Sequence, residues 1–244
     1  MDEKFLLSFA ELEDHHWWFK SRSQIVMDEI GRRVADPIGR VVEIGPGTGG
    51  NLVRLASMFP SAEVVGVEPS RAAREVAGAK GVTVVEGTFE AIPARDGSVD
   101  LLVALDVLEH CAAPELALAD ALRVLKPSGL LVLTVPALPS MWSAHDDINE
   151  HYRRYLAADL RESLTTAGLR IARLTYFNTV LLPGAWPIRR VSRLLRLKSS
   201  VGVGIPPRPV NSALYALFAS ERAYLARRDL RVGMSLLVSA HKPE

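Results

Sequence analysis

The sequence predicts an α/β fold, a doubly wound and mostly parallel seven-stranded sheet with a helical insertion before the last strand. Three observations carry that prediction. Short β-branched runs alternate with helical patterns from Val41 to Pro136, the mark of a parallel sheet covered on both faces. A glycine-rich turn, Gly45-Pro46-Gly47-Thr48-Gly49-Gly50, follows the first run directly. Two further strand candidates, Leu169 to Phe177 and Met234 to His241, stand about 55 residues apart. That is far too long for a hairpin connection, so the intervening segment carries its own structure.

The elements follow in order. Asp14-His15-His16-Trp17-Trp18-Phe19 closes an N-terminal segment too aromatic to lie free in water. It reads either as a helix docked on the sheet edge or as a lid over a ligand, with Trp18 and Arg22 at hand. Ser23 to Ala35 has helical apolar spacing at Ile25, Val26, Ile30 and Val34, and Asp36-Pro37-Ile38-Gly39 stops it. Val41 to Ile44 is the first strand, and Asn51 to Ala56 is the helix after the glycine turn. Glu63 to Glu68 is the second strand, and Ser70 is the N-cap of a helix to about Ala79. Val82 to Glu86 is the third strand. Val99 to Leu105, apolar apart from Asp100, is the fourth and is buried on both faces. Pro114 suits the first turn of a helix to Leu125. Lys126 to Gly129 is a turn, and Leu130 to Val135 is the fifth strand. Leu156 to Ala167 is a helix closed by Gly168. In the insertion, Pro187 to Lys198 is a basic amphipathic helix and Gly202 to Pro209 a breaker. Asn211-Ser212 then caps a helix to about Arg228.

Composition bounds the function. The chain has 244 residues, 48% hydrophobic and 23% charged, with a net charge of +1. This balance does not suit a protein that coats nucleic acid. One cysteine, Cys111, excludes an internal disulfide framework and suits a reducing compartment. No apolar run reaches the roughly 18 residues of a membrane span, and no signal peptide is evident. The expectation is a soluble cytoplasmic protein. Charge is nonetheless uneven, because no acidic residue occurs between Glu162 and Glu221.

A strand, a glycine turn and a helix place backbone N–H groups and a positive helix end beside an anionic or polar ligand. The turn fits two fingerprints. Gly45-x-Gly47-x-x-Gly50 with Glu68 following matches a dinucleotide site. Glu43-x-Gly45-x-Gly47-x-Gly49 matches a pattern with the acid inside the strand end. The turn alone does not choose between them.

The rest of the chain does. VVEIGPGTGG (41–50), VVGVEPS (64–70), VVEGTFEAIP (84–93), DLLVALDVLEH (100–110) and RVLKPSGLLVLTVP (123–136) resemble, in order and spacing, the class I S-adenosylmethionine-dependent methyltransferases. The resemblance runs from about residue 14 to the C-terminus and implies a Rossmann-like core. HHWWF (15–19), HYRRY (151–155) and GMSLLVSAHKP (233–243) are similar to one bacterial branch, whose members often act on small molecules or sugar-lipid intermediates. The resemblance implies S-adenosylmethionine as cofactor. It places Glu43 near the methionine end with Gly45, Gly47 and Gly49 allowing close approach, and it sets Glu68, beside Pro69, on the ribose hydroxyls. Thr88 and Phe89 stand at the adenine, and Leu105 supplies a backbone contact. With the N-terminal lid, Trp18 and Arg22 complete the cofactor set. Thr88 stands where the family usually has Asp, and Ser128 where Gly is common. Neither departure touches the sulfonium end.

The acceptor must approach the far side of the methyl group, so its residues come from Asp106–His110 and from Pro136–Tyr155. His110, His145 and His151 are the candidate bases, and Trp142, Asp146, Arg153, Arg154 and Tyr155 the candidate acceptor contacts. His145, Asp146, Glu150 and His151 match no helical metal-ligand spacing, so no metal is expected. The acceptor is a small molecule or is lipid-linked, with Arg153 and Arg154 available to an anionic group. The basic residues of 188–198 suit an anionic membrane surface, a phosphate or carboxylate on the substrate, or a solvated face. The organisation expected is an N-terminal lid (1–36), a core (37–177 and 229–244) and an inserted helical substrate cap (178–228). A methyl transfer to O or N, or to C, leads the functional readings. A non-catalytic S-adenosylmethionine-binding module, supported by Thr88 and Ser128, and a nicotinamide-dependent oxidoreductase stand as alternatives.

Overall fold

Seven strands form one sheet in a computed structural model that describes residues 12–13, 15–34, 37–187 and 204–244. In chain order the elements are α1 (Trp17–Arg33), β1 (Arg40–Ile44), α2 (Gly50–Met58), β2 (Glu63–Val67), α3 (Arg71–Gly78), β3 (Thr83–Val85) and β4 (Val99–Leu105). A 3-10 turn (Leu108–His110), α4 (Pro114–Val124), β5 (Leu125–Pro136), α5 (Ala144–Ile148), α6 (Ala157–Thr166) and β6 (Arg170–Phe177) follow. α7 (Arg208–Ala219), α8 (Glu221–Leu225) and β7 (Ser235–His241) complete the chain. The strand order is β3-β2-β1-β4-β5-β7-β6. The first five strands are parallel, and β7 runs antiparallel between β5 and β6.

Period-2 alternation divides the core between two faces. Val42, Ile44, Leu102, Ala104, Leu131 and Leu133 pack on Leu118 of α4 and on Leu160 and Leu164 of α6. Val41, Leu101, Val103, Leu130 and Val132 pack on Ile25, Val26 and Ile30 of α1, with Phe218 and Leu225 beyond. Each such Val, Leu, Ile or Phe side chain contributes about 1.5–3 kcal/mol on burial. Asp100, the one polar residue of β4, sits at its start. It accepts from the Gly39 and Arg40 N–H groups at 3.1 and 2.8 Å and pairs with Lys126 at 2.8 Å. The order of strands reverses between β1 and β4, so the crevice for a ligand opens there, at their carboxyl ends.

Several boundaries differ from the sequence expectation. The aromatic segment and the following helix are one element, because α1 starts at Trp17 with His16 as N-cap, its Nδ1 accepting from the Trp18 N–H at 3.2 Å. β5 begins at Leu125 and runs through the expected turn. The irregularity shows as a register shift, since Val99 pairs with Leu125 but Leu101 with Leu130. Ser128 there has φ +61°, a left-handed conformation that favours Gly. Its neighbours are Lys242 and His241, at the end of the sheet opposite the crevice. Asn211 does not cap its own helix, because α7 has already begun at Arg208. Its side chain serves α1 instead, accepting from the Trp17 N–H at 3.0 Å and donating to the His15 carbonyl at 2.8 Å. The expected helix 187–198 falls almost wholly outside the described residues. Among the described residues no helix is long and apolar enough to cross a membrane.

A buried polar knot fastens α1 to the antiparallel edge. Glu29, fully buried, accepts from Arg173 at 2.6 Å, Arg33 at 2.9 Å and the Ser239 hydroxyl at 2.9 Å. Arg173 also pairs with Asp229 at 2.7 Å and donates to the Leu225 and Arg228 carbonyls. Burial alone raises the Glu29 pKa, but Arg33, Arg173 and Ser239 together hold it below the ordinary value. Its stabilising contribution is therefore present above the unfolded carboxyl pKa and is lost as pH falls through the folded one. Arg173→Ala leaves Glu29 without its strongest partner, and we expect a loss of about 3–5 kcal/mol. The check is the denaturant midpoint at unchanged slope. A change near zero removes the knot from the stability account.

Candidate active site

The glycine turn is built by backbone conformation. Gly45, Gly47 and Gly49 have φ of +61°, +55° and +85°. A Cβ on Gly49 would lie 2.9 Å from Ala77 Cβ, whereas one on Gly47 meets nothing within 4 Å. Gly47 thus faces open space at the mouth of the crevice, where a ligand can approach the backbone. The N-terminal segment closes the other side of the turn. Glu13 accepts from the Thr48 hydroxyl, from the Gly50 N–H at 3.1 Å and from Lys80 at 3.4 Å, placing a carboxylate at the start of α2. Nothing local in the sequence marks Glu13 for this role.

Two acids meet the turn from the strand ends. Glu68 accepts from the Gly47 N–H at 3.2 Å and the Ser70 N–H at 2.9 Å, so its carboxylate is oriented with lone pairs to spare. Burial raises its pKa, and the two backbone donors and Arg74 oppose the rise. Glu43 is 2% exposed, and its Oε2 has no partner among the described residues. Burial first, and then the Glu13 carboxylate, push its pKa up to about 8 against the pull of Arg22 and Arg54. A buried carboxyl with an idle oxygen is costly unless a ligand donor completes it.

Above these acids α1 reaches across the crevice. Arg22, buried, pairs with Asp106 just after β4, and its guanidinium lies 4.6 Å from the centre of the Trp18 ring and 5.7 Å from that of Phe19. Asp106 has φ +56° and also accepts from the Thr134 hydroxyl at 3.1 Å. Glu13, Phe19, Arg22, Asn51 and Arg54 line a narrow crevice here. The remaining expected cofactor residues are less uniform. Pro69 and Thr88 are exposed beside the crevice. The Phe89 side chain, 2% exposed, belongs to the core with Val67 and Ile92, so it packs the fold instead of presenting a face to a ligand. Leu105 likewise packs towards α1, leaving only its backbone at the strand end.

The acceptor-side residues separate into scaffold and surface. Asp146, fully buried, closes a capping box with Ser143 and accepts from Arg154 Nε at 2.7 Å. It also lies 3.0 Å from His151 Nδ1. Burial opposes its ionisation, but His151, Arg154 and Ser143 hold its carboxyl well below the usual carboxylate range. Arg154 adds a bond to the Ala137 carbonyl at 3.1 Å, and Arg153 donates to the Ala112 carbonyl at 2.8 Å. Tyr155 is buried and donates to the Leu108 carbonyl at 3.3 Å, and burial raises its pKa. Asp146, Arg154 and Tyr155 therefore hold the loops and are not free to grip an acceptor. Trp142 is half-buried and donates to Asp147 at 2.9 Å. The short helix α5 has a sequence cue in Ser143-x-x-Asp146, a capping-box spacing.

Of the three histidines, the structure brings two together with an acid. His110 and His151 rings lie 4.7 Å apart, edge to face, while His145 is exposed and bonded to Asn149. The inner edge of His110 is desolvated, which with the neighbouring His151 lowers its pKa. Glu109, between β4 and His110, is fully buried with neither carboxylate oxygen partnered among the described residues. Burial and the neighbouring Asp106 push its pKa well above the ordinary value. Cys111, next in the chain, is buried with its thiol pushed up to about 12, so it is no nucleophile.

The fold and the crevice define a doubly wound nucleotide-binding domain with acids at two successive strand ends. Residues 42–133 match the family described as "Methyltransferase domain". A probable S-adenosylmethionine-dependent methyltransferase of Mycolicibacterium smegmatis is 30% identical over 66% of this chain and 62% of its own length. The trans-aconitate 2-methyltransferase of Deinococcus radiodurans is 30% identical over 71% of this chain and 65% of its own. The match thus spans less than two thirds of either relative. A Thermotoga maritima structure described as an S-adenosylmethionine-dependent methyltransferase, possible histamine N-methyltransferase, superposes with a TM-score of 0.61 at 21% identity, covering 98% of this chain and 97% of that one. Residues 42–133 thus carry a methyltransferase domain, and the chain is similar through it to S-adenosylmethionine-dependent methyltransferases, whose cofactor is S-adenosylmethionine.

If the idle oxygen of Glu43 takes the cofactor's ammonium group, binding there would ionise the acid. Between pH 6 and about 7.5, below the α-amino pKa of roughly 7.7–8.0, the free protein holds the Glu43 proton and the complex releases it. Affinity for S-adenosylhomocysteine should then rise with pH by up to about tenfold per unit. Calorimetry in two buffers of different ionisation enthalpy reads the proton directly. A pH-independent affinity, the same in Glu43→Gln, would remove Glu43 from the site.

Proposed function

We propose that the chain transfers a methyl group to an O or N atom, or to C, of a small-molecule or lipid-linked acceptor by in-line displacement. The observation that carries the reading is the pair of buried acids, Glu43 and Glu68, set on either side of a glycine turn whose central residue faces open space. When bound, S-adenosylmethionine supplies a methyl carbon already activated by its sulfonium. The chain's own work is placement and proton removal. Glu43 would hold the amino-acid end, Glu68 the ribose hydroxyls, and exposed Thr88 the adenine edge. Trp18 and Arg22 would cover the cofactor, with Arg22 held over the crevice by Asp106. A base for the acceptor would come from His110 or His151, which face the end of β4, more than from His145, which points to solvent.

The lid and cap readings are part of the same proposal. The described part of the segment up to 36 would form the lid, and the described part of 178–228 would brace it, since Asn211 bonds to the first turn of α1 and Phe218 packs on Trp17 at 6.0 Å between ring centres. Ile148 at the end of α5 and Tyr152 on the loop beside His151, 68% and 62% exposed, support an apolar or lipid-linked acceptor. The basic stretch 188–198 lies outside the described residues, so its partner remains a matter of sequence. Ser128 lends no support to a non-catalytic reading, because it lies at the far end of the sheet.

A thermal-shift titration with S-adenosylmethionine, S-adenosylhomocysteine and NADH tests the reading. We expect both sulfur nucleotides to add about 2.7 kcal/mol of apparent stability at a hundredfold excess over Kd, and NADH to add nothing. Glu68→Ala should abolish most of the gain. A shift with NADH alone would establish the oxidoreductase alternative. Binding without demethylated product across hydroxyl, amine and carboxylate acceptors would establish a binding module.

A further inference from the structure

We propose that Glu109, His110 and His151 form a site for one divalent first-row metal ion of the zinc or manganese class, set beside the methyl-transfer position to hold an acceptor oxygen. One ligand atom from each of the three residues lies within 4.8 Å of the other two. Two bonds of about 2.1 Å span at most about 4.2 Å, so small side-chain rotations bring the atoms onto one ion. Two imidazoles and one carboxylate, with further positions left to solvent, are a donor set for zinc, manganese or iron and a poor one for calcium.

Three independent features point the same way. Glu109 is fully buried, yet neither oxygen has a hydrogen-bond donor among the described residues. A carboxylate in that position needs a cation or a donor. His151 is already oriented as a ligand, because its Nδ1 lies 3.0 Å from Asp146 and leaves Nε2 to the site. Asp146 is itself fixed by Arg154 at 2.7 Å and by the Ser143 N–H at 2.8 Å. A carboxylate behind a ligating imidazole sets the ring's tautomer and strengthens it as a donor. Finally, the Tyr152 N–H donates to the Glu109 carbonyl at 2.9 Å, locking the loop that carries His151 onto the turn that carries Glu109 and His110. His110 remains exposed on its outer edge, so the site has an entrance.

These features fit an ion better than a lone general base. A base needs one imidazole near the acceptor; it leaves the buried Glu109 and the convergence of three ligand atoms without a purpose. An ion uses all of them. Its open position would take the acceptor's oxygen, stabilise the negative charge left there as the O–H proton departs to solvent, and fix that oxygen near Asp106 at the end of β4. The role rests on the proposed methyl transfer and narrows the acceptor to an oxygen nucleophile. The binding of the ion does not depend on that reading.

The test uses the untagged full chain, stripped with chelator and titrated with Co²⁺, whose visible d–d bands report coordination by imidazole. We expect one equivalent to bind and to be displaced by Zn²⁺. Glu109→Gln and His151→Ala should each weaken binding at least tenfold. Asp146→Asn, which touches no ion, should weaken it about ten- to a hundredfold. His241→Ala, at the far end of the sheet, should leave it unchanged. The S-adenosylhomocysteine thermal shift, measured on the same variants, certifies that each is folded. Absence of stoichiometric binding in a protein that retains that shift, or equal binding in wild type, Glu109→Gln and His151→Ala, overturns the site. Co²⁺ binding without the nucleotide shift would keep the site and sink the methyl-transfer reading instead.

Discussion

The ion pair between Arg22 and Asp106 is the contact on which the crevice depends. It joins the helix that precedes the sheet to the loop that follows the central strand, across the point where strand order reverses. Asp106 accepts it with a left-handed backbone, a conformation that costs a non-glycine residue of order 1–3 kcal/mol and persists only where its surroundings impose it. That turn also decides what comes next in the chain. Because the backbone reverses at Asp106, the next residues coil into a 3-10 turn, with Glu109 directed inward and His110 outward. The same aspartate therefore holds the roof and aims the acceptor side.

A second carboxylate does comparable work one layer further out. Asp146 looks from the sequence like part of a polar loop able to meet a substrate. In the fold it is the anchor of that loop, satisfied by Ser143, His151 and Arg154 and closed to solvent. Arg154 and Tyr155 are spent in the same way, on the Ala137 and Leu108 carbonyls. A stretch so rich in charged and aromatic side chains thus yields few free groups. Its polarity stiffens a long connection that would otherwise place His151 poorly.

Most of the sheet was legible because its signals are local. The alternation of β-branched runs with helical spacing gave the strands, and the positive φ values of Gly45, Gly47 and Gly49 are what three glycines in five residues imply. Glu43 and Glu68 were legible from their place at strand ends. What escaped was set by tertiary contact. Glu13 reaches the glycine turn from a segment with no pattern of its own. Phe89 sits beside the crevice in sequence but lies in the turn after β3, where its side chain packs inward on Val67 and Ile92. The pairing of Glu109 and His110 with His151 spans 41 residues, and no spacing rule for a single helix reveals it. His145, Asp146, Glu150 and His151, all within one loop, have no helical ligand spacing. The ligand set the fold offers draws on two loops.

The bonds from Asn211 to Trp17 and His15 tie together residues almost 200 positions apart. This orders events during synthesis. Strands β1 to β5 can pair as soon as residue 136 has emerged, and the glycine turn with its two acids is then in place. The helix that roofs it lacks the Asn211 bond and the Phe218 contact at Trp17 until more than 70 further residues have been made. For that interval the nascent chain holds a formed nucleotide crevice under a roof not yet fastened at its first turn, with Trp17 open to whatever apolar surface is near. A chaperone, or an early-bound nucleotide, would find its opening there, and slow translation through the insertion would lengthen it.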